Sequence, residues 1–308
     1  MTTIEWTDVT WNPVTGCTKV SAGCKHCYAE RAFPRVYSPR KFTDVQCHPA
    51  RLDAPLHWRK PRMVFVNSMS DLFHSAVRGI FIDQVFAVMA LTPQHTYQIL
   101  TKRPERMQQY AADAREYVQA IVSERKPASP PRHWYHAPDN RIQWPLPNVW
   151  LGVSVEDQAT ADERIPMLWD TPAAVRFVSC EPLLGLIDLS PYLQIGTRTK
   201  GVFRPDIDWV IVGGESGPGA RPCNIDWIRD ILSLCRVAGV PAFCKQLGAR
   251  PTVDDPGCER NLPWLYKPGF FDDEHPWMRL DDRKGANPDE WPSDLRVREY
   301  PASLEDKR

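Results

Sequence analysis

Three of the nine cysteines, Cys17, Cys24 and Cys27, fall within eleven positions of one another in the stretch Trp11–Arg31, WNPVTGCTKVSAGCKHCYAER. Thiolates are soft anionic ligands, so such a cluster calls for a soft metal or an iron–sulfur cluster. The count is informative. A structural zinc site closes its tetrahedron with four protein ligands, whereas a [4Fe–4S] cluster held by three cysteines leaves one iron open. Zinc remains an alternative, with His26, His48 or Cys47 as fourth ligand; His26 is poorly placed because it adjoins Cys27. Cys24-Lys25-His26-Cys27 alone has the spacing of a thioredoxin-like redox pair. Free thiols are the plainest alternative.

Other chemistry-bearing residues recur at regular places. Short apolar runs are each followed at once by polar residues: Asn67-Ser68-Met69-Ser70-Asp71, Thr101-Lys102-Arg103, Ser154-Val155-Glu156-Asp157, Ser179-Cys180-Glu181-Pro182, Gly213-Gly214-Glu215-Ser216-Gly217 and Lys245-Gln246. Ser70, Asp71 and Asp157 could serve only as helix caps. Capping does not explain Lys102, Glu156, Glu181 and Glu215 together. Carboxylates that share one cavity need cations beside them, and Lys102, Arg103, Arg221 and Lys245 are the candidates. The glycine-rich run 213–219 lacks the Lys-Ser/Thr of a P-loop; it reads either as a turn or as main chain that a ligand can approach. Residues Pro34–Pro61 mix Arg35, Arg40, Lys41, Arg51, Arg59 and Lys60 with Tyr37, Phe42 and Trp58. That mixture suits nucleic acid, or an ordinary solvated loop.

The elements that must position these groups alternate. Strands are expected over Thr7–Val14, Met63–Asn67, Thr96–Leu100, Val149–Val155, Val175–Ser179, Trp209–Val212 and Pro241–Lys245. Helices are expected over Tyr28–Phe33, Phe81–Leu91, Glu105–Val122, Ala159–Leu168 and Ile225–Ala238, the last opened by Asn224 as N-cap, with a short helical segment at Leu186–Leu193. Strand–helix alternation without hairpins implies a parallel sheet with helices outside it. The expected fold is therefore α/β, a partial (β/α) barrel of about six parallel strands. In such a barrel the strand ends meet on one face, where catalytic groups lie.

The barrel is expected to span residues 1–249, with inserted loops near 126–147 and 194–206. Residues 250–308 read as an irregular C-terminal extension packed on it. That tail holds acidic pairs at Asp254-Asp255, Asp272-Asp273 and Asp281-Asp282, with Trp264, Trp277 and Trp291 as anchors. Net charge is zero, which argues against tight duplex binding by the chain as a whole. No apolar run is long enough to cross a bilayer and no signal peptide opens the chain, so a cytoplasmic location is expected, with no membrane partner and reduced or metal-bound cysteines.

The run Asn12-Pro13, Gly16-Cys17 and Gly23-Cys24-Lys25-His26-Cys27-Tyr28-Ala29-Glu30-Arg31 resembles the cluster loop of radical S-adenosylmethionine enzymes, above all spore photoproduct lyase and its "DNA repair photolyase" relatives. It departs from them in the first spacing: six residues, Thr18–Gly23, stand where those proteins usually have three. Over its whole length the chain resembles an uncharacterised bacteriophage protein family with this longer spacing.

The resemblance implies a [4Fe–4S] cluster on Cys17, Cys24 and Cys27, and S-adenosylmethionine on the open iron, cleaved reductively to a radical by an electron donor. Tyr28 would lie near the adenine. Ser68, Ser70 and Asp71 would help bind the methionine moiety, and Lys102 would pair with its carboxylate. Glu156, Glu181 and Glu215 are further cofactor or substrate contacts. Cys180 would be a catalytic hydrogen-atom donor, against the plainer reading of a buried inert thiol. A nucleic acid or nucleotide is the implied substrate class. A zinc-stabilised module that binds nucleic acid or protein without turnover is the alternative.

Overall fold

In a computed structural model, residues 4–125, 141–193, 207–253, 271–272 and 275–302 are described. Seven strands form one sheet: β1 (Val9–Trp11), β2 (Met63–Val66), β3 (Thr96–Thr101), β4 (Val149–Val155), β5 (Val175–Cys180), β6 (Trp209–Gly213) and β7 (Ala242–Gln246). Their order in the sheet is their order in the chain. The pairs β1–β2, β2–β3, β3–β4, β5–β6 and β6–β7 are parallel. A sequential parallel sheet with helical crossovers is the partial (β/α)-barrel type, as expected, with seven strands in place of about six. Every residue of β2, β4 and β6 is buried. That explains their unbroken apolar runs, since a parallel strand is covered on both faces.

The chain divides into two compact units: Met1–Val153 with Pro166–Arg176, and Ser154–Ile165 with Phe177–Arg308. In the first unit lie α1 (Tyr28–Tyr37), α2 (Gly79–Leu91), α3 (Pro104–Asp113) and α4 (Arg115–Glu124). Helix α2 is apolar almost all round, and nine of its residues are buried. The single helix expected over Glu105–Val122 is two, broken at Ala114. The first expected strand shrinks to three residues because Pro13 cannot donate to a ladder; Val14–Thr15 pairs instead with Gln46–Cys47, antiparallel. Helix α1 continues past Pro34 to Tyr37, with Phe33 packed between Tyr37 and Phe42. Of the expected insertion near 126–147, residues 126–140 lie outside the described residues. Within 141–147, Trp144 donates from Nε1 to the Ala111 carbonyl at 2.9 Å.

Helix α5 (Gln158–Trp169) opens in the second unit and closes in the first. In the second unit, α6 (Ile225–Ala238) starts where the sequence places it. The Asn224 side chain accepts from the Asp226 amide, and Gly239 ends the helix in the left-handed region. Ile225, Ile228, Ile231, Leu232 and Cys235 form its buried stripe. No helix forms over Leu186–Leu193; the residues are held instead by turn bonds such as Tyr192 N–H to Leu189 O. The hairpin Phe271–Asp272 with His275–Met278 was not foreseen. Strand β7 is a sheet edge, and its open side takes main-chain bonds from Cys244 N–H to Val297 O and from Glu299 N–H to Ala242 O. Trp291 is buried and donates to Gly285 O at 3.0 Å, within the expected extension. The expected loop 194–206, Asp254-Asp255, Trp264 and Asp273 lie outside the described residues.

Gly213 and Gly214 show why the run after β6 is rich in glycine. A Cβ at Gly214 would stand 2.3 Å from the Leu247 carbonyl oxygen, and one at Gly213 would stand 2.8 Å from Glu181 Oε1. Both make room for protein rather than for a ligand. Gly214→Ala should therefore lower stability by about 1–3 kcal/mol through overpacking, read as a lower urea midpoint with an unchanged slope.

Candidate functional site

In the first unit, the cysteine loop leaves β1 and is stitched to the segment after β2. Asn67 adopts φ 62°, a left-handed conformation that asparagine tolerates, and its side chain accepts from Val14 N–H at 3.1 Å. Asn12 Oδ1 accepts from Met69 N–H at 3.0 Å, and Asn12 also exchanges bonds with Ser68 Oγ at 3.2 Å. Ser70 Oγ donates to Val14 O at 3.0 Å. Gly16 sits at φ 89° against the carbonyl oxygens of Phe42 and Asp44, where a Cβ would come within 2.8 Å of both. That close approach delivers Cys17, whose amide donates to Phe42 O at 2.9 Å.

Cys17, Cys24 and Cys27 are all half-buried free thiols. Burial pushes the Cys17 thiol up to about 11, and the Asp71 carboxylate adds to this; Arg103 acts the other way. Burial also raises Cys27, against the main-chain N–H groups of Glu30 and Ala29, and the nearby Cys24 reinforces the rise. Cys27 is the N-cap of α1, where helix amides favour a thiolate. Tyr28 follows it, and its hydroxyl donates to Ser68 O at 2.7 Å.

Asp71 is the hub of this region. It is buried and accepts from Thr101 Oγ1 at 2.8 and 2.9 Å, from Lys102 N–H at 3.1 Å and from Phe73 N–H at 2.9 Å. Arg103 completes the set. Its Nη1 lies 3.3 Å from Asp71 Oδ2 and 3.7 Å from Cys17 Sγ, and its Nη2 donates to Thr18 O and Thr18 Oγ1 at 3.1 and 3.0 Å. Thr18 Oγ1 also lies 2.8 Å from His74 Nε2. Because His74 Nδ1 accepts from Ala76 N–H, Nε2 carries the proton of the neutral ring. Burial and Arg103 both lower the His74 pKa. The structure thus brings together Cys17, Tyr28, Ser68, Ser70, Asp71 and Lys102, and adds Asn12, Thr101, Arg103 and His74.

In the second unit the three expected carboxylates are separately paired. Glu156 is wholly buried with Arg164, whose Nη1 lies 3.2 Å from Oε2. This ion pair seals Glu156 away from ligands. Arg164 sits two turns along α5, and the strand-end pattern pointed away from it; an arginine on a helix's buried stripe was the available signal. Glu215 is taken by Arg221 through Nη2 at 2.7 Å, Nε at 2.9 Å and the main-chain amide at 2.9 Å. Glu181 meets Lys245 Nζ at 3.1 Å and Ser179 Oγ at 3.3 Å. Lys245 occupies an irregularity between the Cys244 and Gln246 pairings of β7, a device that re-aims side chains. Cys180 is fully buried, and burial holds its thiol well above the ordinary value. That is the setting of a packed thiol. Asp157 does cap α5, accepting from Thr160 N–H at 2.9 Å.

The rings of the basic stretch are already engaged within the chain. Arg40 lies over Phe33 and Tyr37, Arg51 over Tyr37 and Arg62 over Trp58. Arg35, Lys41, Arg59 and Lys60 are exposed. His48 bonds Thr15 Oγ1 at 2.7 Å. The donor set on the cysteine loop fits an iron–sulfur cluster in kind and number. Its spacing is open: among the described residues no three His, Cys, Asp or Glu side chains stand close enough together to hold a metal ion. Holding a cluster requires the three sulfurs to draw together. Among the described residues, no helix is long and apolar enough to cross a membrane.

The family described as "Protein of unknown function (DUF5131)" matches residues 1–285, so the chain belongs to that family. No curated protein and no solved structure matches it.

The sealed pair gives a direct test of role. Glu156→Ala strands a buried guanidinium, which should cost about 3–5 kcal/mol. The loss would appear in urea denaturation, while metal content per folded chain stays at the wild-type value.

Proposed function

We propose that this DUF5131 protein is an iron–sulfur enzyme of the radical S-adenosylmethionine type, acting on a nucleic acid or nucleotide. The observation that carries the reading is one loop bearing three free, half-buried thiols and fastened to the ends of β2 and β3. The sequential parallel sheet supports it, because sites in such folds gather at strand C-termini. A [4Fe–4S] cluster with an open iron would supply an electron and a coordination corner for the amino acid moiety of S-adenosylmethionine.

The chain's own residues do the rest. Cys17, Cys24 and Cys27 are the ligands. The Tyr28 ring, fixed through its hydroxyl on Ser68 O, offers a face for the adenine. The Ser68–Asp71 segment keeps its shape through Asn12, Val14 and Thr101, so it presents a rigid edge to the methionine part. The ammonium of Lys102 pairs with a carboxylate, its main chain being fixed by Asp71. Exposed Arg35, Lys41, Arg59 and Lys60 suit a phosphate backbone.

Anaerobic purification with iron and sulfide analysis tests the reading. The expected protein is brown, with about four irons per chain, and releases 5′-deoxyadenosine from S-adenosylmethionine and dithionite above a Cys24→Ala control. A colourless protein with one zinc would replace the reading with a zinc-stabilised binding module. Lys102→Ala should weaken S-adenosylmethionine binding about tenfold, or about 1.4 kcal/mol, with iron content intact. Parallel loss of iron would make the residue structural.

A further inference from the structure

Among the described residues, the Arg103 side chain touches both the cysteine loop and the hub carboxylate. Four of its contacts are shorter than 4 Å: to Cys17 Sγ, Asp71 Oδ2, Thr18 O and Thr18 Oγ1. Its side chain is only 15% exposed and that of Asp71 only 8%. The two forks of the guanidinium divide the work. One faces the sulfur and the carboxylate; the other grips the residue after the cysteine. A lysine offers a point charge and cannot span these acceptors at once. Asp71 is itself immobilised by Thr101, Lys102 and Phe73, so the guanidinium is anchored from behind and aimed forward.

We propose that Arg103 is a positioning residue for Cys17: it clamps the cysteine loop to Asp71 and sets an N–H donor on the Cys17 sulfur. The clamp is made by protein atoms alone, and its bearing on a bound cluster rests on the reading above. Hydrogen bonds and positive charge at a ligand sulfur stabilise the reduced, more negative form of a cluster. Arg103 therefore also raises the reduction potential of whatever cluster Cys17 holds.

Two measurements on the full chain decide this, each on wild type, Arg103→Gln and Arg103→Lys. In metal-free protein, amide hydrogen exchange across residues 16–21 should speed up about tenfold or more in Arg103→Gln, while exchange in α6, a helix of the second unit, stays unchanged. Arg103→Lys should recover only part of the protection. Unchanged exchange at 16–21 overturns the clamp. Global acceleration in both variants also overturns it, since that is general destabilisation.

In iron-loaded protein, the midpoint potential of Arg103→Gln should be more negative at equal iron content, with Arg103→Lys in between. An unmoved potential overturns the role at the sulfur and leaves only a structural tether. Wild-type protein that takes up no iron sinks the enzyme reading; the exchange measurement still decides the clamp.

Discussion

The polar edge of the first unit depends on one buried carboxylate. Asp71 carries a negative charge into a largely closed setting, which is costly unless donors surround it. Thr101, Lys102, Phe73 and Arg103 supply them, from the segment after β2 and from the end of β3. The consequence is geometric. The same guanidinium that serves Asp71 also reaches Cys17 and Thr18 on a loop more than eighty residues earlier. A local electrostatic requirement is thereby converted into a long-range fixture.

The second unit resolves its carboxylates differently, one cation to each. The pairs are graded by burial. Glu156 and Arg164 are sealed, with side chains 1% and 3% exposed. Glu215 is held at both oxygens by Arg221. Glu181 is the most exposed of the three carboxylates, and its contact with Lys245 at 3.1 Å is looser than that of Glu215 with Arg221 at 2.7 Å. Gly213 lets Glu181 lean over β6, and the irregularity in β7 turns Lys245 toward it. A sealed pair contributes architecture; only an incompletely satisfied one retains donors and acceptors for something else.

Much of this was legible in the sequence. The fold was, because unbroken apolar runs such as Met63–Val66 and Val149–Val155, spaced by helical segments, leave few arrangements besides a sequential parallel sheet. The alignment of polar residues with strand ends was legible for the same reason. Helix ends were legible where a cap was explicit, as at Asn224 and Gly239. What escaped has physical causes. The break at Ala114 carries no proline or glycine. The continuation of α1 through Pro34 reflects tertiary support from Phe33, which outweighs one lost main-chain bond. Leu186–Leu193 has helical periodicity but is held by turn bonds. The pairing of cations with carboxylates was anticipated for Arg221 and Lys245. It was missed for Arg164, because two turns of helix separate it from its strand end.

Cys17 shows how the site's energetics are poised. Burial, reinforced by the Asp71 carboxylate, outweighs Arg103 and leaves the thiol raised to about 11. Arg103 supplies a cation on one side, yet the same guanidinium is shared with Asp71, so the sulfur receives only part of its charge. The helix amides at Cys27 give the same partial support to a second sulfur. Cys17 and Cys27 are thus both held toward the protonated form, the guanidinium and the amides offsetting only part of the effect of burial. On the proposed reading, a cluster held by the three sulfurs would supply positive charge and displace their protons, so its binding would be coupled to proton release and would strengthen as pH rises. Arg103 matters to this balance as a shared charge. Were it devoted to Asp71 alone, the loop would lose its anchor.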